Sequence, residues 1–326
     1  MGSLRFLLGM FPLVVATYMP FCTAEVRPTS LPWDAQLAAF WERPADLPKR
    51  DLFYGPWGAE HAPNPSVEYT FIRPKQGGAN PGVVVNDPKG REWHVKQAGK
   101  QADKQGAEGP VEVVLSRVLS AVGYHQPPVY FLPTFTMRDG SGTRTEEGGR
   151  FRLHVPSMKA RGDWSWQQNP FVGMRPYQGL LVILLLFDSS DLKNSNNTLY
   201  DVTRHDGPTQ WYVVRDLGTA LGETGRLGPK RGNVELLARN RFITGVKDGF
   251  VTFDYHGWHQ ELIENRITPD DVGWAMALLE RLTERQWRDA FRAGGYDADT
   301  SARFIGVIHA RIAEGRQIAG DSSAHE

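Results

Sequence analysis

Four short stretches of this chain carry side chains whose types, taken in order, could manage a compact anionic group. "EWHVK" ends in Lys96, a cation on a stem long enough to reach a bound anion. "GPVEVVL" holds Glu112, a carboxylate able to fix that cation in place. "DLKNSN" supplies Asp191, Lys193 and Asn196, and "DLG" begins at Asp216. Concentrated phosphate charge needs a lysine, and the lysine needs an anchor. Divalent cations that bridge phosphate oxygens take hard oxygen ligands, such as an Asp and an Asn side chain. A separate aspartate can orient a hydroxyl and accept its proton. The chemistry those groups suit together is phosphoryl transfer from ATP with Mg²⁺ or Mn²⁺.

The third stretch also poses a physical problem. "LLVILLLF", eight apolar residues, runs straight into "DSSDLKNSNNTLY" at Asp188. Burying such polar groups unpaired costs about 1–3 kcal/mol each, and more for charges. Either the segment is a solvated loop tip, or the apolar run anchors a loop whose charges are met by metal and nucleotide. The second outcome is expected here.

The elements around these residues follow from pattern. "VEYTFIRP", "VVVND" and "REWHVKQ" are short β-rich runs separated by "QGGANPG" and "PKG", which predicts an antiparallel meander with Lys96 on its third strand. Val111, Leu115, Val118, Leu119 and Val122 recur at helical spacing, so Glu112 lies in the first turns of an amphipathic helix ended by Gly123. Residues 127–156 read as two strands with a polar hairpin, and 159–174 as a loop. Pro176 opens a helix to about 187 that is apolar on every side and therefore buried. "QWYVVRDLG" is a strand running into a glycine turn, and "GVKDGFVTFDY" a hairpin. Thr268–Pro269 caps the first of three helices in the tail. The order predicts an α+β protein: a small β-rich lobe with one helix, then a mainly helical lobe.

With these motifs in place the chain resembles the protein-kinase-like superfamily. Asp191-Leu192-Lys193-x-x-Asn196 is similar to the catalytic loop of serine/threonine kinases and of phosphatidylinositol kinases. "DLG" resembles the metal-binding Asp-Phe-Gly turn, and "WHVK" the strand of the nucleotide lysine. The resemblance implies that Asp191 is the catalytic base and that Lys193 reaches the transferred phosphate. It implies that Asn196 and Asp216 bind metal and that Lys96 and Glu112 form an ion pair. Gly77 and Gly78 in "QGGANPG" stand where a phosphate-covering loop belongs, although there is no G-x-G-x-x-G. Ser189-Ser190 replace the usual His-Arg, and no Ala-Pro-Glu follows "DLG". These departures point to an atypical branch, near HipA-type, phosphatidylinositol and secretory-pathway kinases. The implied fold is the bilobal kinase-like one, with an N-lobe over 67–160 and a C-lobe over 161–326.

Composition limits the alternatives. Of the 326 residues, 37 are Lys or Arg and 37 Asp or Glu, so no net charge argues for a nucleic-acid partner. "MGSLRFLLGMFPLVVATYMPFCTAEV" has the shape of a secretory signal peptide cleaved after Ala24, so export with no lasting membrane anchor is expected. Cleavage would remove Cys22, the only cysteine, and with it any thiolate chemistry. Residues 25–66, rich in Pro, Trp and Gly, read as an extended segment wrapping the body.

Trp164, Trp166 and Phe171 could line a ligand pocket, but loop aromatics more often cover a core. His256 and His259 lack a third ligand for zinc, and no G-x-S-x-G elbow supports a serine hydrolase. Two other functions stay open: an exported pseudokinase that binds nucleotide without turnover, and a hydrolase using Asp188 with Asp191 or Asp216. The hydrolase explains neither Lys96 nor Asn196. The acceptor, some hydroxyl-bearing protein, lipid or small molecule, has no signature in the sequence.

Overall fold

A computed structural model describes residues 36–75, 82–97, 108–205, 207–226 and 229–323. The proposed leader (1–24) and Gly77 and Gly78 lie outside them.

The first lobe is a small barrel. β1 (Glu68–Pro74), β2 (Gly82–Asn86) and β3 (Glu92–Gln97) form the expected meander, and β4 (Val129–Asp139) and β5 (Gly142–Leu153) the expected hairpin. The strand order is β1-β2-β3-β5-β4, and a parallel pairing of β1 with β4 closes the sheet on itself. Closure removes the exposed sheet edges that would otherwise invite pairing with other chains. Alternate residues fill the interior: Val83 and Val85 from β2, Trp93 and Val95 from β3, Phe135 from β4 and Phe151 from β5. Because strand side chains alternate, His94 and Lys96 must face outward. The β3–β5 register sets His94 opposite Arg152 and Lys96 opposite Arg150.

Helix α1 (Glu108–Ala121) follows β3 and lies beside that outer face. Val111, Leu115, Val118 and Leu119, the residues whose spacing predicts it, join the main core. Its end is sharp because Gly123 has φ +107°, and a Cβ there would come within 2.2 Å of the Glu42 carbonyl oxygen.

The second lobe is mainly helical but contains two small sheets. β6 (Met158–Gly162), β7 (Asn197–Arg204) and β8 (Gly207–Val214) form one antiparallel sheet. The segment 159–174, expected to be loop throughout, thus begins inside a strand. "MKARG" has no alternating apolar pattern, and only its pairing to β7 makes it one. β7 was also not foreseen, and the boundary drawn at 160/161 falls inside β6. Between β6 and β7 runs α2 (Arg175–Leu186), with Pro176 at its start and Leu180 through Leu186 buried all round, as expected. Full burial of each such side chain contributes roughly 1.5–3 kcal/mol, so this helix fixes the base of the loop that follows.

After α3 (Val234–Arg239) comes the expected hairpin of β9 (Ile243–Lys247) and β10 (Phe250–Phe253). α4 (Pro269–Leu279), α5 (Glu284–Ala293) and α6 (Ala298–Ser323) complete the lobe. Thr268 caps α4 as predicted, in a reciprocal box with Asp271. Residues 36–66 hold two single helical turns, Leu47–Lys49 and Ala59–His61, and an isolated bridge from Trp41 to Tyr124. They lie against the body: Gln286 Nε2 donates to the Leu47 and Arg50 carbonyls at 2.8 Å, and Trp41 Nε1 to that of Val122. Among the described residues no helix is long and apolar enough to cross a membrane.

Candidate active site

Lys96 is buried where β3, α1 and the segment after β8 meet. Its Nζ donates to Glu108 Oε1 and to Asp216 Oδ1, both at 2.7 Å, and lies 3.5 Å from Glu112 Oε2. The expected Lys96–Glu112 pair is therefore within ion-pair reach, but the hydrogen bonds of the ammonium go elsewhere. Glu112 is claimed by the neighbouring strand: Arg152 Nη2 donates to its Oε1 at 2.7 Å, and Arg150 Nε stands 3.1 Å from its Oε2. Glu108, one turn earlier on the same helix face, takes the place at the lysine. Its other oxygen lies 3.4 Å from Arg231.

Three acids and four cations thus share one partly buried site, and the balance of charge shows in their ionisation. Burial pushes the Glu112 carboxyl up, but Arg150, Lys96 and Arg152 outweigh it and hold the group well below the usual carboxylate range. Burial and the charge of Glu112 likewise push Asp216 up, and Lys96 with Arg152 more than offsets them. Burial lowers the Lys96 pKa while the Glu112, Asp216 and Glu108 charges raise it, against Arg150, and the net shift is upward. Arg150, fully enclosed, is pushed down to about 10 by burial. Glu112 and Asp216 are ionised and Lys96 is charged at neutral pH.

The loop after α2 settles the question of the polar run. Asp188, at φ +52°, is 2% exposed, and it is met by protein rather than by a ligand. Arg311 of α6 donates to its Oδ1 at 2.9 Å and its Oδ2 at 3.2 Å, and Asn240 Nδ2 to Oδ2 at 3.0 Å. The expectation that metal and nucleotide neutralise these aspartates is corrected at this position. Asp191 has Lys193 Nζ 2.8 Å from its Oδ1, and that ammonium also stands 4.7 Å from the ring centre of Trp258. Ser190 is held from outside: its carbonyl accepts from the Trp258 amide at 2.9 Å.

Asn196 and Asp216 come together through the β7–β8 hairpin. Asn197 pairs with Val214, so the residues just outside the hairpin, Asn196 and Arg215, are also neighbours. The Arg215 amide donates to the Asn196 carbonyl at 2.7 Å. Asn196 Nδ2 donates to the Asp191 carbonyl at 2.7 Å, which ties base and metal-ligand candidates into one unit. Asp216 has φ +51°, a conformation that Asp tolerates better than most residues. Gly218 is required by space: a Cβ there would stand 2.0 Å from Glu108 Cγ and 2.7 Å from its carbonyl oxygen. The "DLG" turn and the start of α1 are in direct contact.

Hard divalent cations fit this donor set. Carboxylate oxygens of Glu108, Glu112 and Asp216 lie within 4.8 Å of one another, and Asp216 retains about a third of its exposure.

A cavity of about 640 Å³ adjoins the cluster. His94 and Arg152 of the barrel line it, together with Tyr200 of the three-stranded sheet and Arg215 just after that sheet. Val155 and Pro156, the crossover between the lobes, close it. Arg152 therefore belongs both to the cavity wall and to the Glu112 ion pair, and Arg215 directly precedes Asp216. A second cavity, of about 600 Å³ between Trp57, His125 and Trp211, contains none of the sequence-predicted site residues.

Glu108, Arg150, Arg152 and Arg215 were missed from sequence. Glu108 had one usable signal, its four-residue spacing from Glu112. The arginines of "RFR" had another, since alternation puts them on one face of their strand. Trp164, Trp166 and Phe171 are buried in the main core, as the bland reading held. His256 pairs with Asp254 and His259 with Glu261.

Fold and site together define a two-lobed α+β protein with an ionic cluster where the barrel meets the mainly helical lobe. No family model matches the sequence. No curated protein matches it either. Among solved structures it is similar to the Helicobacter pylori proinflammatory kinase CtkA, at 12% identity and TM-score 0.45 over 79% of this chain and 99% of that one. It is similar to the Golgi casein kinase with Mn/ADP bound, at 11% identity and TM-score 0.40 over 81% and 75%. The Rio2 kinase–ADP/Mg²⁺–phosphoaspartate complex from Chaetomium thermophilum follows at 12% identity and TM-score 0.28 over 78% and 72%.

Proposed function

We propose that this protein is an ATP-dependent phosphotransferase of an atypical kinase-like branch, acting on a hydroxyl acceptor. The observation that carries this reading is the convergence of Lys96, Glu108, Glu112 and Asp216 on one cluster, whose partner Arg152 also lines the inter-lobe cavity. The cavity takes the base and ribose, and Lys96 turns from Asp216 toward the phosphates. Glu112, pinned by Arg150 and Arg152, keeps the lysine from swinging away. Asp216 and Asn196 hold Mg²⁺ or Mn²⁺, which when bound neutralises the phosphate oxygens. Asp191 accepts the proton of the incoming hydroxyl, and Lys193 beside it stabilises the transferred group.

The test is a thermal melt of the full chain with ATP and Mg²⁺ or Mn²⁺, followed by ADP release. A ligand at a hundred times its Kd stabilises by about 2.7 kcal/mol, an easily read shift in Tm. Absence of any shift at millimolar nucleotide with either metal overturns the reading. Binding without ADP release on any hydroxyl acceptor favours a pseudokinase instead. That second reading has its own support in the pairing of Asp191 with Lys193 and in Ser189-Ser190 where most such loops carry His-Arg. Export is part of the same proposal, and N-terminal sequencing of secreted material beginning at Glu25 tests it.

A further inference from the structure

On the outer face of the barrel, at the mouth of the inter-lobe cavity, three more ligand-type side chains come together. Glu92 and His94 are two residues apart on β3 and so share a face. Trp93 pairs with Leu153, which sets His154 opposite Glu92, and the His154 amide donates to the Glu92 carbonyl at 2.9 Å. One ligand atom from each of Glu92, His94 and His154 lies within 4.8 Å of the other two. His94 Nε2 and Glu92 Oε1 are already 3.0 Å apart. We propose that these three residues bind a divalent transition metal ion of the zinc class.

The donor types carry the choice of ion. Two imidazoles and one carboxylate suit Zn²⁺, Co²⁺, Ni²⁺ or Cu²⁺, whereas Mg²⁺ and Ca²⁺ prefer sites made of oxygen alone. The Glu108–Glu112–Asp216 group is such an oxygen-only set, so the two sites select different ions. Ligand atoms in a tetrahedral zinc site stand roughly 3.4 Å apart, as bonds near 2.0–2.1 Å require. Two of the ligands sit on β3 of a closed barrel and the third follows β5 directly, so the backbone frame is rigid.

Among the described residues Arg73 competes with the metal for Glu92, through long contacts of 3.4 and 3.5 Å. Both groups are partly exposed, and such a pair contributes little. Three protein ligands leave a coordination position open. His94 and His154 both line the cavity, so a donor atom entering from that side can fill the open position.

This proposal stands apart from the phosphotransfer reading and is tested without it. Tag-free full-length protein is titrated with Co²⁺ in excess Mg²⁺ and followed by visible absorbance, then displaced with Zn²⁺. One equivalent should bind with the intense spectrum of a four- or five-coordinate nitrogen-containing site. His154→Gln, at an exposed position, and Glu92→Gln should each weaken binding by at least the roughly tenfold to hundredfold that losing an outer-shell partner costs. Arg73→Ala should tighten it, and Asp216→Ala should leave the signal unchanged. Absence of saturable one-to-one binding overturns the site. So does a signal that survives His154→Gln and Glu92→Gln, or one that vanishes with Asp216→Ala.

Discussion

Lys96 Nζ lies 2.7 Å from Oδ1 of Asp216, although 120 residues separate the two in the chain. One belongs to the barrel and the other to the turn after β8, so the contact joins the lobes across the site. It also places a cation where the proposed function needs one, beside the carboxylate assigned to metal. The same ammonium bonds Glu108, whose backbone packs on Gly218 of the "DLG" turn. A movement of α1 is therefore felt at Asp216 through two routes, one ionic and one steric.

Lys96→Met removes the cation and leaves Glu108 and Asp216 facing each other. Arg150 and Arg152 still neutralise Glu112, so the expected loss of stability is about 1–3 kcal/mol, the cost of orphaned polar groups, rather than collapse. Phosphate transfer should fall by at least about a hundredfold, the scale seen when one charge-stabilising donor is removed. Urea denaturation and ADP release measure the two effects. Wild-type turnover in this variant would remove Lys96 from the chemistry.

Asp216→Asn and Asp191→Asn should separate binding from chemistry. The first loses the metal-dependent part of nucleotide affinity, read by calorimetry with and without Mg²⁺. The second keeps that affinity and loses turnover by roughly 10²–10⁴-fold, the usual contribution of a positioned base. If Asp191→Asn turns over normally, another group takes the proton.

Acid should weaken the fold through Glu112. Its pKa in the folded protein is held below the unfolded value of 4.5, so its stabilising contribution is complete above that pH. It is lost as pH falls from there through the folded pKa. Glu112→Gln should be less stable than the wild type at pH 7, by about 3–5 kcal/mol for a broken buried pair, yet show a shallower decline between pH 5 and 3. Parallel curves for the two proteins over that window would contradict the assignment.

Arg311→Leu should unmoor the loop from below. It strips Asp188 of its buried partner at 2.9 Å, at an expected cost of about 3–5 kcal/mol. Adding Asp188→Asn removes the stranded charge and should recover part of the loss, a coupling that a double-mutant cycle reads directly. Additive effects would mean that the pair is not the anchor.

Much of this protein is legible in its sequence. The period-two runs at 67–97, the helical spacing after Pro110, the unbroken apolar helix before Asp188 and the Thr268–Pro269 cap are local signals, and local signals are what a sequence records. They were enough to order Lys96, Glu112, Asp191, Asn196 and Asp216 along a two-lobed α+β chain. What they could not supply was any decision resting on a partner distant in the chain. "MKARG" is a strand only because β7 lies beside it, and the barrel closes only because β1 meets β4. Lys96 chose Glu108 and Asp216 over Glu112, because two arginines from β5 reached Glu112 as well. Asp188 took Arg311, 123 residues away, in place of a ligand. Residue types set which groups could pair. Packing decided which did, because the strength of an ion pair depends on distance and burial, and neither exists until the chain has folded.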